Sequence, residues 1–380
     1  MGRDPAQRSG LEKLWQRDTS IGRALAAIPL RIAGGIFRCA IALRNLWWRR
    51  MARSAAVRVI SVGNLTVGGN SKTPFTLFLA NRLQARGVDI AIVSRGYHGT
   101  KSKARAMLVA DNGELKLTPA ESGDEPAMMS RRFSGPIAIG QRRLDAIEML
   151  EDRDLDAVIL DDGFQHVRLR RDVDLVLVSD ERGFGNGRML PAGPMREPLS
   201  ALKRADAIVI MSSGSGHASA ILPREMAQLE RHRVLHARIR PRSLVTSAQR
   251  GWHETAPILA GRRVLAVSGL ANPSSFHAMV REIDADLVGV LEYPDHHSYT
   301  SADWQTIAAA ARDVDAVITT EKDLIKLERF PFARDSLYAL RLEVTMPEED
   351  ARALDELIFS RLRPEETDRA AGQEVSHNAR

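Results

Sequence analysis

The apolar run Val57-Arg-Val-Ile-Ser-Val62 leads within a few residues into Gly68-Gly-Asn-Ser-Lys-Thr-Pro74. A strand that turns through glycines into Lys-Thr and then a helix constrains the fold more than any other stretch. The backbone N–H groups of such a turn, with the helix N-terminus behind them, form a concavity suited to phosphate oxygens. In that reading Thr66, Val67, Gly68, Gly69, Asn70, Ser71, Lys72 and Thr73 wrap the phosphates of a nucleotide. Lys72 reaches the terminal phosphates and the Thr73 hydroxyl sits on Mg²⁺. The usual pattern has glycine six residues before the Lys and again just before it, where this chain has Thr66 and Ser71. If position 71 requires positive φ, a non-glycine there costs roughly 1–2 kcal/mol. A tight strand-to-helix turn without a ligand is the alternative for this stretch alone.

From residue 57 onward, short apolar runs alternate with helix-like segments. Expected strands are Val57–Val62, Asp89–Ser94, Ala106–Ala110, Ile137–Ile139, Ala157–Leu160, Leu175–Val178 and Ala207–Met211. Expected helices are Pro74–Arg86, Pro126–Arg132, Arg143–Glu151 and Leu199–Lys203. Strands that are continuously apolar, not alternating, imply a parallel sheet covered on both faces. That is a doubly wound α/β fold, whose ligands lie beyond the carboxyl ends of the strands. Ser212–Ser219 and the basic segment Arg238–Arg250 break the rhythm. A second, smaller α/β unit follows, with strands Val264–Ser268, Leu287–Leu291 and Ala316–Thr320 and helices Ser275–Ile283 and Ala302–Arg312. The expected division is 1–56 as a basic helical segment, 57–255 as the core, 256–363 as the smaller unit and 364–380 as a disordered tail.

Charge is unevenly spread. Residues 1–58 hold twelve Lys/Arg against three Asp/Glu, a net +9, so the remaining 322 residues carry −3 of the chain's +6. A basic end on a near-neutral body points to an anionic surface. Ile28, Ile32, Ile36, Cys39, Leu43 and Leu46 recur at the helical period, with Arg31 and Arg38 on another stripe and Trp47-Trp48-Arg49-Arg50 as an interfacial anchor. The expectation is a helix that lies on an anionic membrane without spanning it, since the two arginines would fall at mid-membrane. A helix packed on its own domain is the alternative. No recognition-helix or aromatic signature supports nucleic acid, no segment has the form of a cleaved signal peptide, and a single Cys39 excludes an internal disulfide framework.

Ala157-Val-Ile-Leu160 ends in Asp161-Asp162-Gly163-Phe164-Gln165-His166. A carboxylate pair at a strand end is the metal-organising half of a phosphate-loop site, and two aspartates beside a polyphosphate imply a cation. Gly123-Asp124-Glu125-Pro126 opens a helix; its acids either cap that helix or offer Asp124 as a base toward an attacking hydroxyl. Arg95, Arg143 and Arg196 sit where ligands bind and could fork onto phosphate, or serve as surface ion pairs. Asp295-His296-His297 and Thr320-Glu-Lys-Asp323 read by default as a solvated loop and a helix cap. A membrane-associated nucleotide hydrolase acting as a switch or maturation factor would share the loop and the acid pair.

Taken in order, Ser61-Val-Gly-Asn-Leu-Thr-Val-Gly-Gly69, Lys72-Thr-Pro74, Ser94-Arg-Gly-Tyr97, Gly123-Asp-Glu-Pro126, Asp161-Asp-Gly-Phe-Gln-His166, Pro191-Ala-Gly-Pro-Met-Arg-Glu-Pro198, Asp295-His-His297 and Thr320-Glu-Lys-Asp323 resemble the tetraacyldisaccharide 4′-kinase family. The resemblance implies a P-loop kinase core, a second domain closing over it, and ATP–Mg²⁺ as donor to the 4′-hydroxyl of a lipid disaccharide 1-phosphate. It implies an aspartate assisted by a histidine as base, mapping onto Asp124 and His296, with His297 left open. Asp161 and Asp162 take the metal-organising role; Arg95, Glu125, Arg143, Gln165, His166, Arg196 and Glu197 line the cleft. A monomer peripheral to the cytoplasmic face of a bacterial inner membrane is expected. Ser71, where the family usually has glycine, is the departure.

Overall fold

The computed structural model describes residues 15, 28–68, 71–97, 99–101, 106–213, 218–248, 251–257, 259–270, 273–331 and 336–362. The expected tail 364–380 lies outside them. Helix α1 (Ile28–Arg50) precedes strand β1 (Arg58–Asn64), and the phosphate-loop segment leads into α2 (Lys72–Gln84). There follow β2 (Ile90–Ser94), β3 (Met107–Asp111), β4 (Glu114–Leu115), α3 (Pro119–Ser122), α4 (Asp124–Met129), β5 (Ile137–Ile139), α5 (Arg143–Glu148), β6 (Ala157–Asp161) and β7 (Val173–Ser179). The expected helix at 199–203 is a 3-10 turn, Leu199–Arg204, before β8 (Ala207–Ser212) and α6 (Pro223–Leu229). Then come β9 (Arg233–Ala248), β10 (Gly251–Thr255), β11 (Arg263–Ser268), α7 (Pro273–Glu282), β12 (Asp286–Glu292), α8 (Ser301–Ala310), β13 (Ala316–Thr320), α9 (Glu321–Leu327), β14 (Leu337–Thr345) and α10 (Glu348–Leu362).

These strands form one 14-stranded sheet, ordered β12-β11-β13-β14-β9-β8-β7-β1-β6-β2-β5-β3-β4, with β10 beside β9. The run from β9 to β5 is parallel, as is the run from β12 to β14. Every residue of β2, β6 and β7 is buried, which is what helices on both faces of a parallel sheet require.

The two parallel runs meet along β9. Its first part pairs parallel with β8, and residues 238–245 pair antiparallel with β14. The sequence reading of Arg238–Arg250 as a break is thus corrected: residues 238–248 continue a strand. Leu235, Ala237 and Ile239 are buried while His236, Arg238 and Arg240 are exposed, a clean period of two. Arg240 and Arg242 reach Glu343, and Arg242 also Glu254, so the charge that hid the strand has partners across it. The carboxyl ends of β1, β2, β5 and β6 carry the loops of the first unit. Those of β12 and β13 carry loops from the second.

Candidate active site

The chain leaves β1 at Asn64 and re-enters a helix at Lys72. The Val67 N–H donates to the Pro194 carbonyl at 2.8 Å, and the Arg196 N–H to that of Leu65 at 2.7 Å, so the proline-rich loop braces the phosphate loop. Ser71 caps α2 with φ 55 and ψ 27, left-handed backbone. The positive φ that would favour glycine is therefore present, at a cost of roughly 1–2 kcal/mol for a non-glycine. Gly69 and Asn70 lie outside the described residues. Arg182 overhangs the loop: a Cβ on Gly68 would come within 3.2 Å of its guanidinium.

The acid pair lies at the adjacent strand end. Close approach of the two turns depends on two glycines, since a Cβ on Gly63 would fall 2.5 Å from that of Phe164, and one on Gly163 2.7 Å from that of Leu160. Asp161 accepts from Thr76 at 3.1 Å and Thr73 at 3.4 Å. Burial, then the charges of Glu125 and Asp162, push its carboxyl up to about 7. Asp162 turns the other way, to Arg196 at 2.9 Å and Lys72 at 3.8 Å. Burial would raise its pKa, but those two cations outweigh it and hold the group below its ordinary value. A buried carboxyl with a raised pKa beside a hydroxyl is a set of hard oxygens whose charged form lacks compensation. That suits Mg²⁺, which binds through one or two carboxylates and shares its remaining positions with water and phosphate.

Asp124 opens α4 and faces the second unit. Its Oδ2 lies 3.4 Å from the Nδ1 of His296 and 3.3 Å from the Nζ of Lys326. Burial again opposes ionisation, and His296 and Lys326 overcome it, so the Asp124 pKa is lowered. Lys322 stands 3.1 Å from the other ring nitrogen of His296 and 3.2 Å from Asp295. His297 points elsewhere, 3.0 Å from Asp303 and stacked on Tyr293. Of the two histidines, geometry brings only His296 to Asp124. Glu125, next in sequence, acts electrostatically on Asp161, so the two clusters share one region.

The remaining expected residues divide. Arg196 bridges Asp162 and Gln165, and Gln165 in turn donates to the Asn64 carbonyl at 2.8 Å. Arg143 is only 3% exposed, with its guanidinium on the carbonyls of Gly140 and Asp161. It supports the acid pair from beneath and is not free to fork onto an open phosphate. Arg95 is exposed and lies over Tyr97. His166 is kept neutral, its pKa pushed down to about 3 by burial and by Arg143, Arg171 and Arg168. Glu197 is 1% exposed and pairs with Arg204 at 2.9 Å and Asn45 of α1 at 2.8 Å, so it fastens α1 and does not face the loop. Sequence reasoning missed Lys326, Lys322 and Arg182. Thr320-Glu-Lys-Asp323 is indeed a cap, since the Thr320 hydroxyl accepts from the Asp323 N–H. Only the path of α9 reveals that Lys322 and Lys326 leave that cap toward Asp124.

A nucleotide-phosphate cradle facing a proton acceptor across a parallel-sheet edge is the arrangement of a P-loop phosphotransferase. The family model described as Tetraacyldisaccharide-1-P 4'-kinase matches residues 26–363, and the chain belongs to that family. A tetraacyldisaccharide 4'-kinase of Anaeromyxobacter sp. (strain K) is 39% identical over 360 residues, covering 89% of this chain and 92% of the relative. The same-named protein of Geobacter sulfurreducens is 38% identical, covering 84% and 89%. Among solved structures, the "apo" form of LpxK from Aquifex aeolicus in complex with ATP superposes with a TM-score of 0.70 at 28% identity, covering 87% of this chain and 97% of that one.

Proposed function

We propose that this protein transfers the γ-phosphoryl group of ATP to the 4′-hydroxyl of a tetraacyldisaccharide 1-phosphate, a step of lipid A biosynthesis. The observation that carries the reading is Asp124 held against His296 beside the Lys72–Asp162 and Thr73–Asp161 contacts. The loop N–H groups and Lys72 hold the β and γ phosphates. Thr73 and Asp161 would hold Mg²⁺, which when bound would neutralise charge on the phosphate oxygens. Asp162, fixed by Arg196, sets the height of Lys72. Asp124 accepts the proton of the 4′-hydroxyl as that oxygen bonds to the γ-phosphorus and the bond to the β-phosphate oxygen breaks. His296, Lys322 and Lys326 aim the Asp124 carboxylate and keep it ionised. In such transfers positioning and charge stabilisation do most of the work.

The core 57–255 supplies the donor side and residues 256–363 the histidine and lysines, so one copy contains every group named and a monomer suffices. The acceptor is a membrane lipid, and α1 exposes Ile32, Ile36 and Leu43 at 62%, 67% and 69%. No helix among the described residues is long and apolar enough to cross a membrane. We therefore assign residues 1–56 to peripheral contact with an anionic membrane, at the cytoplasmic face of the inner membrane, where ATP is available. Incubation with γ-labelled ATP, Mg²⁺ and the lipid disaccharide tests the reaction. Label should appear in the lipid with wild type. Asp124→Ala should bind ATP yet lose transfer by about 10²–10⁴-fold. Label released only to water would instead identify a hydrolase.

A further inference from the structure

A cavity of about 700 Å³ lies between α1 and the segments 187–203 and 228–232. Its basic lining is Arg31, Arg38, Arg188, Lys203, Arg231 and His232, and no carboxylate lines it among the described residues. None of the five Arg and Lys side chains makes an ion pair within the described residues, whereas Arg238, Arg240 and Arg242 on β9 have glutamate partners. Met189, Met195, Leu199 and Leu202 add apolar surface. Gly34 lets α1 approach the wall closely, since a Cβ there would stand 3.3 Å from the Met189 carbonyl.

Like charges converging without counter-charges repel one another and are relieved by an anion. Arg31, Gly35 and Arg38 each precede Ile32, Ile36 and Cys39 by one residue, about 100° round the helix. The groove therefore borders the exposed apolar stripe of α1. None of the groups assigned to phosphoryl transfer lines it. We propose that this groove holds the phosphate headgroup of an anionic membrane phospholipid and so sets how the protein sits on the bilayer. The proposal rests on the peripheral-membrane reading above and adds a specific headgroup site to it. Charge favours a phosphate diester, the apolar surface accommodates its glycerol and first methylenes, and the neighbouring stripe supplies the bilayer.

The test compares sedimentation with vesicles of phosphatidylcholine alone and with added phosphatidylglycerol. Wild type should bind the anionic vesicles several-fold better. Arg188→Gln/Lys203→Gln/Arg231→Gln, all off α1, should lose most of the preference for the anionic vesicles while binding phosphatidylcholine at the wild-type level, the basic segment 1–58 keeping the remainder. A control of equal charge loss on β9, Arg238→Gln/Arg240→Gln/Arg242→Gln, should keep the anionic preference. A preference in the groove variant undiminished from wild type, or equal loss in the control, overturns the site. If wild type binds neither vesicle, the membrane reading fails by itself. Monomeric dihexanoyl-phosphatidylglycerol then decides the groove: a thermal shift present in wild type and absent in the groove variant supports it, and no shift overturns it. A raised KM for micellar disaccharide with the lipid preference intact would give the groove to the acceptor's own phosphate and overturn the proposal as well.

Discussion

Ser71, Asp162 and His296 hold left-handed backbone at φ 55, 54 and 58. None is glycine, and each costs on the order of 1–2 kcal/mol that the surrounding structure must offset. Asn112 and Asp284 hold the same backbone in turns elsewhere, so such strain is not confined to the site; at Ser71, Asp162 and His296 it fixes geometry that the proposed chemistry uses. Asp161 makes the same point electrostatically. Burial pushes its carboxyl up from the ordinary 3.8 to about 7 in the fold. Stability from the protonated form is full below the lower value and is lost as pH rises through the upper one. Mg²⁺ favours the ionised form, so binding of ATP–Mg²⁺ at pH 6 should release a proton. Calorimetry in buffers of different ionisation enthalpy reads that proton, and Asp161→Asn should abolish it while raising the Tm of the free protein by a few degrees. Glu197 makes the contrary case. Glu197→Gln leaves Arg204 without its buried partner and should lower stability by about 3 kcal/mol. A denaturant titration should show that loss, with KM for ATP little changed. The motif around Asp161 was legible because strand-end acids have a defined job. Glu197 entered the cleft only through the family resemblance, and its buried pairing with Arg204 and Asn45 was not legible from the residues around it.

At the scale of elements, the α1 stripe was read correctly from period alone, and its surroundings had to come from three dimensions. Ile41, Phe37 and Asn45 face the protein; Ile28, Ile32, Ile36 and Leu43 face outward. The alternative, a helix packed on its own domain with a solvated basic face, is met for the Phe37, Ile41 and Asn45 face, while the Ile28–Leu43 stripe stays exposed. Ile32→Asp/Ile36→Asp should abolish vesicle sedimentation while leaving the unfolding transition in place, because both side chains are solvent-facing. Strand β9 was missed because its outward positions are arginines and Pro241 interrupts it. Its first half alternates from Leu235 to Arg240, and a period-two count over that stretch finds it. β14 and α10 were also left unassigned. The central strands β1, β6 and β7 were legible because a strand buried on both faces is apolar along most of its length, Ser61, Asn64 and Asp174 being buried polar exceptions.

Across the whole molecule, one sheet carries two sets of strand ends to the same place. The antiparallel seam between β9 and β14 joins them, and Arg132–Glu321, Arg341–Glu254 and Arg82–Asp355 add ion pairs at 3.0, 2.7 and 2.8 Å between the units. Lys326 belongs to this scale: it is unremarkable in sequence and meaningful only because α9 packs beside α4. We propose that Asp124 and His296, 172 positions apart, act as one proton-accepting unit. The most direct test is the turnover of Asp124→Asn, His296→Ala and the double variant with the lipid acceptor at saturating ATP. Groups that act as a unit are non-additive, so the double variant should be no slower than the slower single one. Rate losses that multiply, or a His296→Ala enzyme with wild-type turnover, would contradict the account.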